Sequence, residues 1–290
     1  MRPRYSFSSR RNRRIDKIKK QRQKYPDILK KIVDTSDIIL EILDARFPEK
    51  TRNKEVEKEI SKQNKKLIYV LNKADLVGKT KIQGYNYLIP NIIISCKDRK
   101  GIKRLRNLIK IISKTIDKKE KKSIKGEKII ESDGDQRIKV GVIGYPNTGK
   151  SSLLNILVGK RSAGVGSEAG FTKGLQKIKL TEEIVLIDSP GVIPQEEYSQ
   201  TEKQKIAQHT IVGGRSYTQV KDPEIVVHSL MKEFPGVLEA YYKISAENDS
   251  EKLIEKLGKT KGFLKKAGKV DEDKTARFIL KEWQEGKIKV

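Results

Sequence analysis

The stretch from Val140 to Leu154 contains the residues best suited to carry chemistry. It reads VGVIGYPNTGKSSLL, and its centre has the pattern G-x-x-x-x-G-K-S. The pattern predicts a loop whose backbone N–H groups face phosphate oxygens, with Lys150 reaching the β and γ phosphates and the Ser151 hydroxyl ligating Mg²⁺. A glycine-rich turn that binds nothing is the alternative, but the apolar strand before the loop and the helix start after it favour phosphate binding. The residues predicted to contact the nucleotide here are Gly144, Asn147, Thr148, Gly149, Lys150, Ser151 and Ser152.

A second polar segment, Asn72-Lys73-Ala74-Asp75, follows the apolar run from Lys66 to Leu71. An aspartate at the end of a buried strand can accept both the ring N–H and the exocyclic amine of guanine, a pairing that adenine cannot supply. Asp75 is therefore predicted to select GTP over ATP, Asn72 to tie this loop to the phosphate loop, and Lys73 to cover the base with its stem. A plain solvated surface turn is the alternative for so short a motif.

The tripeptide Ser95-Cys96-Lys97 follows a short apolar strand predicted from Asn91 to Ile94. It resembles the S-A-K element of GTPases, whose backbone N–H contacts the guanine oxygen, and the small cysteine leaves that contact possible. Cys96 can at the same time be a small buried filler. A reactive thiol is not expected because no histidine lies nearby in the sequence, and a lone cysteine excludes an internal disulfide and a cysteine-based zinc site.

Two further segments suit a sensor of the γ-phosphate. Thr172 lies 21 residues after Ser151 in a glycine-dotted stretch, as a switch loop requires, although an ordinary loop threonine fits that position equally well. The apolar run from Ile184 to Ile187 then leads into a D-x-x-G motif. Its Asp188 is predicted to hold Mg²⁺ through water, and the Gly191 N–H to contact the γ-phosphate. Ser151, Thr172 and Asp188 together form the predicted Mg²⁺ site.

Alternating helices and strands position these motifs. A helical pattern from Tyr25 leads into an apolar strand from Ile38 to Leu43, and a helix over residues 52–63 precedes the next strand. This alternation predicts an α/β fold, a mostly parallel sheet flanked by helices, over residues 25–196. Residues 117–137 are mostly polar and charged, and we interpret them as a linker between the two halves of that domain.

The charge of the chain indicates a polyanionic partner. The formal net charge is +26 and the pI is about 9.8, which favours binding to RNA or DNA and, less strongly, to an anionic membrane. Residues 1–24 contain eleven Lys or Arg and a single acidic residue, Asp16. This basic tail is predicted to be disordered in the free protein, in a form that can still dock on nucleic acid phosphates.

The apolar content argues against a membrane protein. No stretch approaches about 18 apolar residues, and the Arg-rich start lacks the apolar core of a signal peptide. We therefore expect a cytoplasmic protein that makes no membrane contact and is monomeric when free.

Residues 197–290 are predicted to form a small all-α domain. Asp222-Pro223 suits a helix start, and further helices are predicted from Asp249 to Gly258 and from Asp271 to Gly286. Apolar residues at helical spacing predict the core of a small bundle. Lysines that either contact a partner or form a solvated face are Lys259, Lys261, Lys265, Lys266 and Lys269.

The segments predicted to read guanine precede those predicted to bind phosphate, the reverse of the usual order in GTPases. In this order the chain resembles the circularly permuted GTPases, the YlqF/RbgA-like ribosome-assembly proteins and their nucleolar relatives. The resemblance is strong over residues 25–195 and weak towards the C-terminus, and its motifs are SDIILEILDARFP, NKADL, GYPNTGKSSLLN, GFTKG and IDSPGV. Because of the permutation, the C-terminal domain is expected to follow the switch at Gly191 directly and to respond to GTP without an intermediary.

The resemblance implies a P-loop GTPase that binds GTP and GDP with Mg²⁺ and hydrolyses GTP slowly as a ribosome biogenesis factor. The implied partners are a ribosomal subunit precursor, with the large subunit favoured, and rRNA bound through basic surfaces that include the C-terminal domain. The alternatives are a nucleotide-gated RNA-binding scaffold and a regulatory GTPase not tied to ribosome assembly. A signalling GTPase at a membrane is disfavoured because the sequence carries no lipidation signal.

The residue after the D-x-x-G motif is Val192, which cannot orient the attacking water as a glutamine does. The resemblance implies that a potassium ion held by Asn147 supplies positive charge instead, an effect worth roughly 10³ to 10⁵ in rate when an arginine supplies it. A role for Asn147 in shaping the turn is the alternative. His209 and His228 are expected to have surface or packing roles. The residues assigned to catalysis are Lys150, Thr172, Gly191 and Asn147.

Overall fold

The computed structural model describes residues 27–78, 84–116, 136–159, 176–189 and 203–290. The α/β part alternates helices and strands, as the sequence predicts. Its elements are α1 (27–35), β1 (Ile38–Asp44), α2 (Pro48–Thr51), α3 (Lys54–Lys62), β2 (Lys66–Asn72), β3 (Asn91–Ile93), α4 (Ile102–Thr115), β4 (Ile138–Gly144), α5 (Lys150–Val158), β5 (Gln176–Lys179) and β6 (Ile184–Asp188). The helical part that follows consists of α6 (Lys203–Ile211), α7 (Pro223–Glu233), α8 (Val237–Tyr242), α9 (Ser250–Lys261) and α10 (Glu272–Gln284).

The strands form one six-stranded sheet in the order β3-β2-β1-β4-β6-β5. All neighbouring pairs are parallel except β5 with β6, and this antiparallel edge strand was not predicted from the sequence. β1 is buried along its whole length, as an interior parallel strand requires, and its residues are apolar except for Glu41 and Asp44. Because β1 lies between β2 and β4, it joins the two halves of the sheet.

Helices cover both faces of this sheet. On one face, Leu105 and Ile109 of α4 and Leu153 of α5 pack against the central strands. On the other face, Ile32 of α1 and Ile60 of α3 belong to a second buried cluster. The result is the three-layer α/β arrangement that the alternation of elements predicts.

The helical part has its own core around Trp283, which is completely buried. Asp249 caps α9 by accepting the Glu251 and Lys252 N–H groups, and Asp271 caps α10 by accepting the Lys274 N–H. Phe47 and Tyr145 of the α/β part belong to the same apolar cluster, so this core extends across the junction of the two parts. No α-helix within the described ranges combines the length and hydropathy needed to cross a membrane.

Several predicted boundaries differ from the structure. The helix predicted over residues 52–63 is α3, from Lys54 to Lys62, and the short helix α2, from Pro48 to Thr51, was not predicted. The prediction that Gly258 ends a helix is wrong, because α9 continues to Lys261 and ends at Gly262, whose φ is +68°. Gly258 is instead a packing position, where a Cβ would lie 2.3 Å from Cγ1 of Val270. The predicted tail 1–24, most of the predicted linker 117–137 and the predicted boundary at residue 196 lie outside the described residues.

A carboxyl group interrupts the apolar run of β1. Glu41 is fully buried, and its Oε1 accepts the Asn53 N–H at 2.7 Å. Burial raises the pKa of Glu41 well above its ordinary value, and the negative charge of Glu57 raises it further. Glu57 is in turn held by Arg52 and by the Tyr69 hydroxyl, which donates to it at 2.9 Å. The folded protein therefore binds a proton at Glu41 more tightly than the unfolded chain does.

The loop after β4 is packed into the helical part through Tyr145. The Tyr145 side chain is buried, and its ring meets the His209 ring edge-to-face at a centroid distance of 6.4 Å. Gly214 lies against the same ring, since a Cβ at Gly214 would be 2.6 Å from Cε1 of Tyr145. The missing side chain at Gly214 thus permits the close approach of the two parts.

We expect Glu41→Gln to stabilise the protein increasingly as the pH rises. A carboxyl group whose pKa is raised by folding contributes stability at low pH, and that contribution is lost as the pH rises from the unfolded pKa of 4.5 through the folded pKa. The glutamine oxygen keeps the acceptor for Asn53 and removes the titration. The stability difference should grow by up to about 1.4 kcal/mol per pH unit, which urea unfolding at several pH values measures. A difference that does not vary with pH would contradict the assignment.

We expect Gly214→Ala to lower the free energy of unfolding by about 1–3 kcal/mol, because the new methyl group overlaps the Tyr145 ring. The matched control is Gly78→Ala, where a Cβ meets nothing within 4 Å. Neither glycine has a left-handed φ, so backbone strain contributes to neither variant. Chemical denaturation compares the two, and equal midpoints would show that Tyr145 is not closely packed against Gly214.

Candidate nucleotide-binding site

The register of the sheet brings the predicted motifs to one edge. Asp44 at the end of β1 pairs with Asn72 at the end of β2, and Ile42 pairs with Gly144 at the end of β4. Asp188 at the end of β6 pairs with Val142 of β4. The carboxyl edge of a parallel sheet is where such folds bind ligands. The phosphate and guanine motifs therefore meet here although they lie far apart in the chain.

Asn72 connects three loops at this edge. Its Nδ2 donates to the Thr148 carbonyl oxygen of the phosphate loop at 2.8 Å, and its Oδ1 accepts the Cys96 N–H at 3.1 Å. Gly149 of the phosphate loop makes room for this side chain, because a Cβ there would lie 2.2 Å from Asn72 Nδ2. The contact between Asn72 and the phosphate loop is the one that the sequence predicts.

The base-side loop orients Asp75 through a side-chain contact. The Ser95 hydroxyl donates to Oδ1 of Asp75 at 2.8 Å, and the Asp98 N–H donates to the same hydroxyl oxygen at 3.0 Å. Burial raises the pKa of the Cys96 thiol to about 12, so the thiol stays protonated at neutral pH, as expected for a filler residue. Lys97 is exposed at the surface of this loop.

Lys150 is held inside the phosphate loop. Its Nζ donates to the carbonyl oxygens of Gly144 at 3.0 Å and Tyr145 at 2.8 Å, and the Thr148 hydroxyl also donates to the Tyr145 oxygen. Burial lowers the pKa of Lys150 to about 8, against the opposing effect of the Asp188 charge. A buried cation of this kind is suited to an anionic ligand, and phosphate oxygens supply that charge. Ser151 and Ser152 follow in the first turn of α5 and are partly buried.

Asp188 has the properties of a metal-binding carboxylate. Neither of its buried side-chain oxygens makes a hydrogen bond to a residue that the structure describes. Burial raises the pKa of Asp188 to about 6, although the Lys150 charge lowers it. Oxygen ligands suit Mg²⁺, so Asp188 and the Ser151 hydroxyl fit the predicted ion. Thr172 and Gly191, the other predicted switch residues, lie outside the described residues, as does Val192.

Asn147, the predicted potassium ligand, contacts the helical part of the chain. Its φ is 60°, and its Nδ2 donates to the carbonyl oxygen of Gly213 at 2.9 Å. The contact joins the phosphate loop to the segment after α6. This geometry supports the turn-shaping role for Asn147. It also gives Asn147 a second role, as a contact between the α/β part and the helical part. His209, which was expected to have only a surface or packing role, packs on Tyr145 of the same loop, whereas His228 Nδ1 lies 3.2 Å from the Ser250 hydroxyl.

The sequence interpretation missed an ionic network beside the base loop. Asp44 is fully buried, and its Oδ2 contacts Nζ of Lys73 and Nη2 of Arg46, both at 2.9 Å. Burial alone would raise the pKa of Asp44, but the Arg46 and Lys73 charges outweigh burial and hold that pKa well below its usual range. Arg46 also donates from Nη1 to the Trp283 carbonyl oxygen at 3.2 Å. The sequence feature that could have indicated this network is the pair of charged residues, Asp44 and Arg46, at the end of a buried strand.

The network positions Lys73 and connects it to the helical part. Lys73 has a φ of 63°, and its ammonium group is directed to Asp44, so its stem is anchored at both ends. On the same side, the Val290 N–H donates to the Leu76 carbonyl oxygen at 2.9 Å, and the Gly78 N–H donates to Val290 at 3.3 Å. The helical part therefore contacts both the base loop and the phosphate loop.

Comparison with known proteins shows that the chain is similar to GTP-binding proteins. Residues 139–260 match the family model described as 50S ribosome-binding GTPase. An uncharacterized GTP-binding protein of Methanocaldococcus jannaschii is 39% identical over 267 residues, which cover 90% of this chain and 65% of that protein. Nucleolar GTP-binding protein 2 of Pneumocystis carinii is 34% identical over 274 residues, covering 90% and 52%. The chain thus spans less than two thirds of the length of these relatives.

Solved structures share the fold. The GDP-bound structure of YlqF superposes with a TM-score of 0.62 at 20% identity, covering 89% of this chain and 94% of that one. The GNP-bound crystal structure of YlqF from T. maritima gives a TM-score of 0.60 at 21% identity, covering 91% and 94%. The likeness extends over the helical part as well as the sheet, because the covered share exceeds the α/β part alone.

We expect Asn72→Asp to weaken GDP binding by about 10- to 100-fold, or roughly 1.4–2.8 kcal/mol. The carboxylate can still accept the Cys96 N–H but cannot donate to the Thr148 carbonyl oxygen, so the phosphate loop loses its tie to the base loop. Titration with fluorescent GDP measures the effect. The control is Asn107→Asp, which makes the same chemical change on an exposed face of α4. Equal affinities in the two variants would show that the tie does not matter.

Proposed function

We propose that the chain is a circularly permuted GTPase, which binds GTP and GDP with Mg²⁺ and hydrolyses GTP to GDP and phosphate. The observation that carries the proposal is the double hydrogen bond of Asn72, which joins the base loop to the phosphate loop. A carboxylate suited to guanine and a lysine suited to phosphate are thereby held in one site. Neither motif alone would indicate a site for a guanine nucleotide.

Each part of the proposed site has a role that its surroundings support. Asp75, oriented by Ser95, selects guanine, while Lys73 flanks the base. Lys150 and the backbone of its loop bind the β and γ phosphates. Asp188 and Ser151 hold Mg²⁺, which when bound neutralises charge on the phosphates. The potassium ion at Asn147 and the roles of Thr172 and Gly191 remain parts of this proposal.

We further propose that the protein acts on a ribosomal subunit precursor, with the large subunit favoured, and binds rRNA. The description of the matched family and the nucleolar name of a relative support a ribosomal role. The formal net charge of +26 supports an RNA partner, because each cation that neutralises a phosphate releases a counterion. In this proposal the protein is cytoplasmic, docks on the precursor while GTP is bound, and leaves after GTP is hydrolysed. The rate of hydrolysis then sets how long the protein stays bound, and we call this role a timer.

A second candidate function is a nucleotide-gated RNA-binding scaffold in which hydrolysis matters little. The contacts from Asn147 to Gly213 and from Tyr145 to His209 favour it, since they join the phosphate loop directly to the helical part. Lys150→Ala separates the two. Loss of RNA docking without bound GTP supports gating, whereas unchanged docking with failed release supports a timer.

We expect GTP hydrolysis to be slow in the free protein and to be stimulated by purified large ribosomal subunits, more strongly in potassium than in sodium buffer. A cation at the phosphate loop compensates for the inability of Val192 to orient water, and such charges are worth roughly 10³ to 10⁵ in rate. Phosphate release with large subunits, small subunits or tRNA measures the effect, and Lys150→Ala is the inactive control.

Two outcomes would revise the proposal. If no particle stimulates hydrolysis and RNA fails to bind at physiological salt, the ribosomal role is wrong and a basic GTPase with another partner remains. If large subunits stimulate equally in potassium and sodium, the potassium site at Asn147 is wrong and the ribosomal role stands.

A further inference from the structure

The segment from Lys97 to Thr115, which forms the turn before α4 and α4 itself, has an unusual charge balance. It contains eight Lys or Arg and one acidic residue, Asp98, and no aromatic residue. By contrast, residues 203–290 contain eighteen Lys or Arg and thirteen Asp or Glu. Net positive charge is therefore denser in this segment of the α/β part than in the helical part, to which the sequence analysis assigned RNA contact.

The geometry of α4 places much of this charge on one outer face. Ile102, Leu105 and Ile109 are buried on the inner side. Lys103, Lys110 and Lys114 are exposed and lie seven and four residues apart, so they form a single stripe along the helix. At about 1.5 Å per residue the stripe is about 16 Å long. Arg104 lies to one side of the stripe, and the exposed Lys97 and Arg99 precede it in the turn before α4. We call these six residues the α4 basic face.

The cations of the α4 basic face are not neutralised by neighbouring carboxylates. Among the residues that the structure describes, Lys103, Lys110 and Lys114 form no ion pair, and the single acidic side chain of the segment, Asp98, lies 3.9 Å from Lys100. Three lysines of the helical part differ. Lys252 pairs with Glu247, Lys259 with Glu255 and Lys281 with Glu285.

Hydrogen bonds also connect the α4 basic face to the nucleotide site. In the turn before α4 the N–H groups of Ser95 and Lys100 each donate to the carbonyl oxygen of the other at 3.1 Å. Ser95 in that turn contacts Asp75 of the base loop. The first half of α4 contacts α5, where Arg106 donates to the Leu157 carbonyl oxygen. A partner bound on this face is thus held next to the helix that begins at the phosphate loop.

We infer that the α4 basic face docks on the phosphate backbone of base-paired RNA. Unpaired, exposed lysines in a row match a line of phosphates, and each contact would release a counterion. Single-stranded RNA is normally held by stacking of its bases on aromatic side chains, and the α4 basic face has no aromatic residue. We therefore expect the face to recognise the phosphate backbone and the shape of the RNA helix rather than its base sequence. The inference rests on the proposed RNA-binding function and assigns it to a surface.

The test compares two variants that lose the same charge. Lys103→Gln/Lys110→Gln/Lys114→Gln removes the stripe, and Lys252→Gln/Lys259→Gln/Lys281→Gln removes ion-paired lysines of the helical part. The probe is a fully paired RNA hairpin titrated into the full chain at several salt concentrations. We expect the first variant to bind on the order of tenfold more weakly and to lower the salt slope by about 2–3, and the second to resemble the wild type. Unchanged GDP affinity in both confirms that the nucleotide site is intact.

The outcomes distinguish this inference from the function on which it rests. If the wild type does not bind the hairpin, the proposed RNA-binding function fails and the inference fails with it. If the wild type binds and the two variants bind equally well, the inference alone is overturned. If poly-glutamate binds the α4 basic face in preference to the hairpin, with the same dependence on the three lysines, the partner is an acidic protein and the assignment to RNA is wrong.

Discussion

The nucleotide site depends on one buried side chain, Asn72. Its amide spans 76 residues of sequence to reach the Thr148 carbonyl oxygen and also accepts the Cys96 N–H. A primary amide offers a donor and an acceptor side by side, so a single residue can satisfy two loops at once. This matters because the permuted order of motifs leaves the two loops on separate halves of the chain. The central position of β1 in the sheet brings the halves together, and Asn72 fixes their separation.

Buried charge at the same edge is arranged in two different ways. Beside the base loop, Asp44 is neutralised within the protein by Arg46 and Lys73, and its pKa is correspondingly low. At the phosphate end, Lys150 and Asp188 are buried without a salt bridge to each other or to another described residue, and burial shifts both pKa values towards neutrality. The first arrangement is complete in itself and rigid. The second is favourable only when ligands supply the missing charges, as is typical of sites that bind nucleotide and metal.

The sequence predicts those features that depend on local pattern or on motif spacing. The strands, their order along the chain and the tie from Asn72 to the phosphate loop follow from apolar runs that end in polar motifs. Long-range packing could not be predicted in the same way. The contact between Arg46 and Trp283 joins residues 237 positions apart, and no local pattern records it. The end of α9 was misjudged for a related reason, because Gly258 serves packing against Val270 rather than helix termination. The edge strand β5 was missed because four residues give little periodicity.

The helical part is attached to the nucleotide edge at several places within the described residues. Arg46 holds the Trp283 carbonyl oxygen on the base side, Asn147 holds the Gly213 carbonyl oxygen on the phosphate side, and the Val290 N–H donates to Leu76 after the base loop. A body held at several points has no free hinge. Any reorientation of the helical part must therefore break at least one of these contacts or carry one of the nucleotide loops with it, so movement of the outer helices and opening of the site are mechanically coupled.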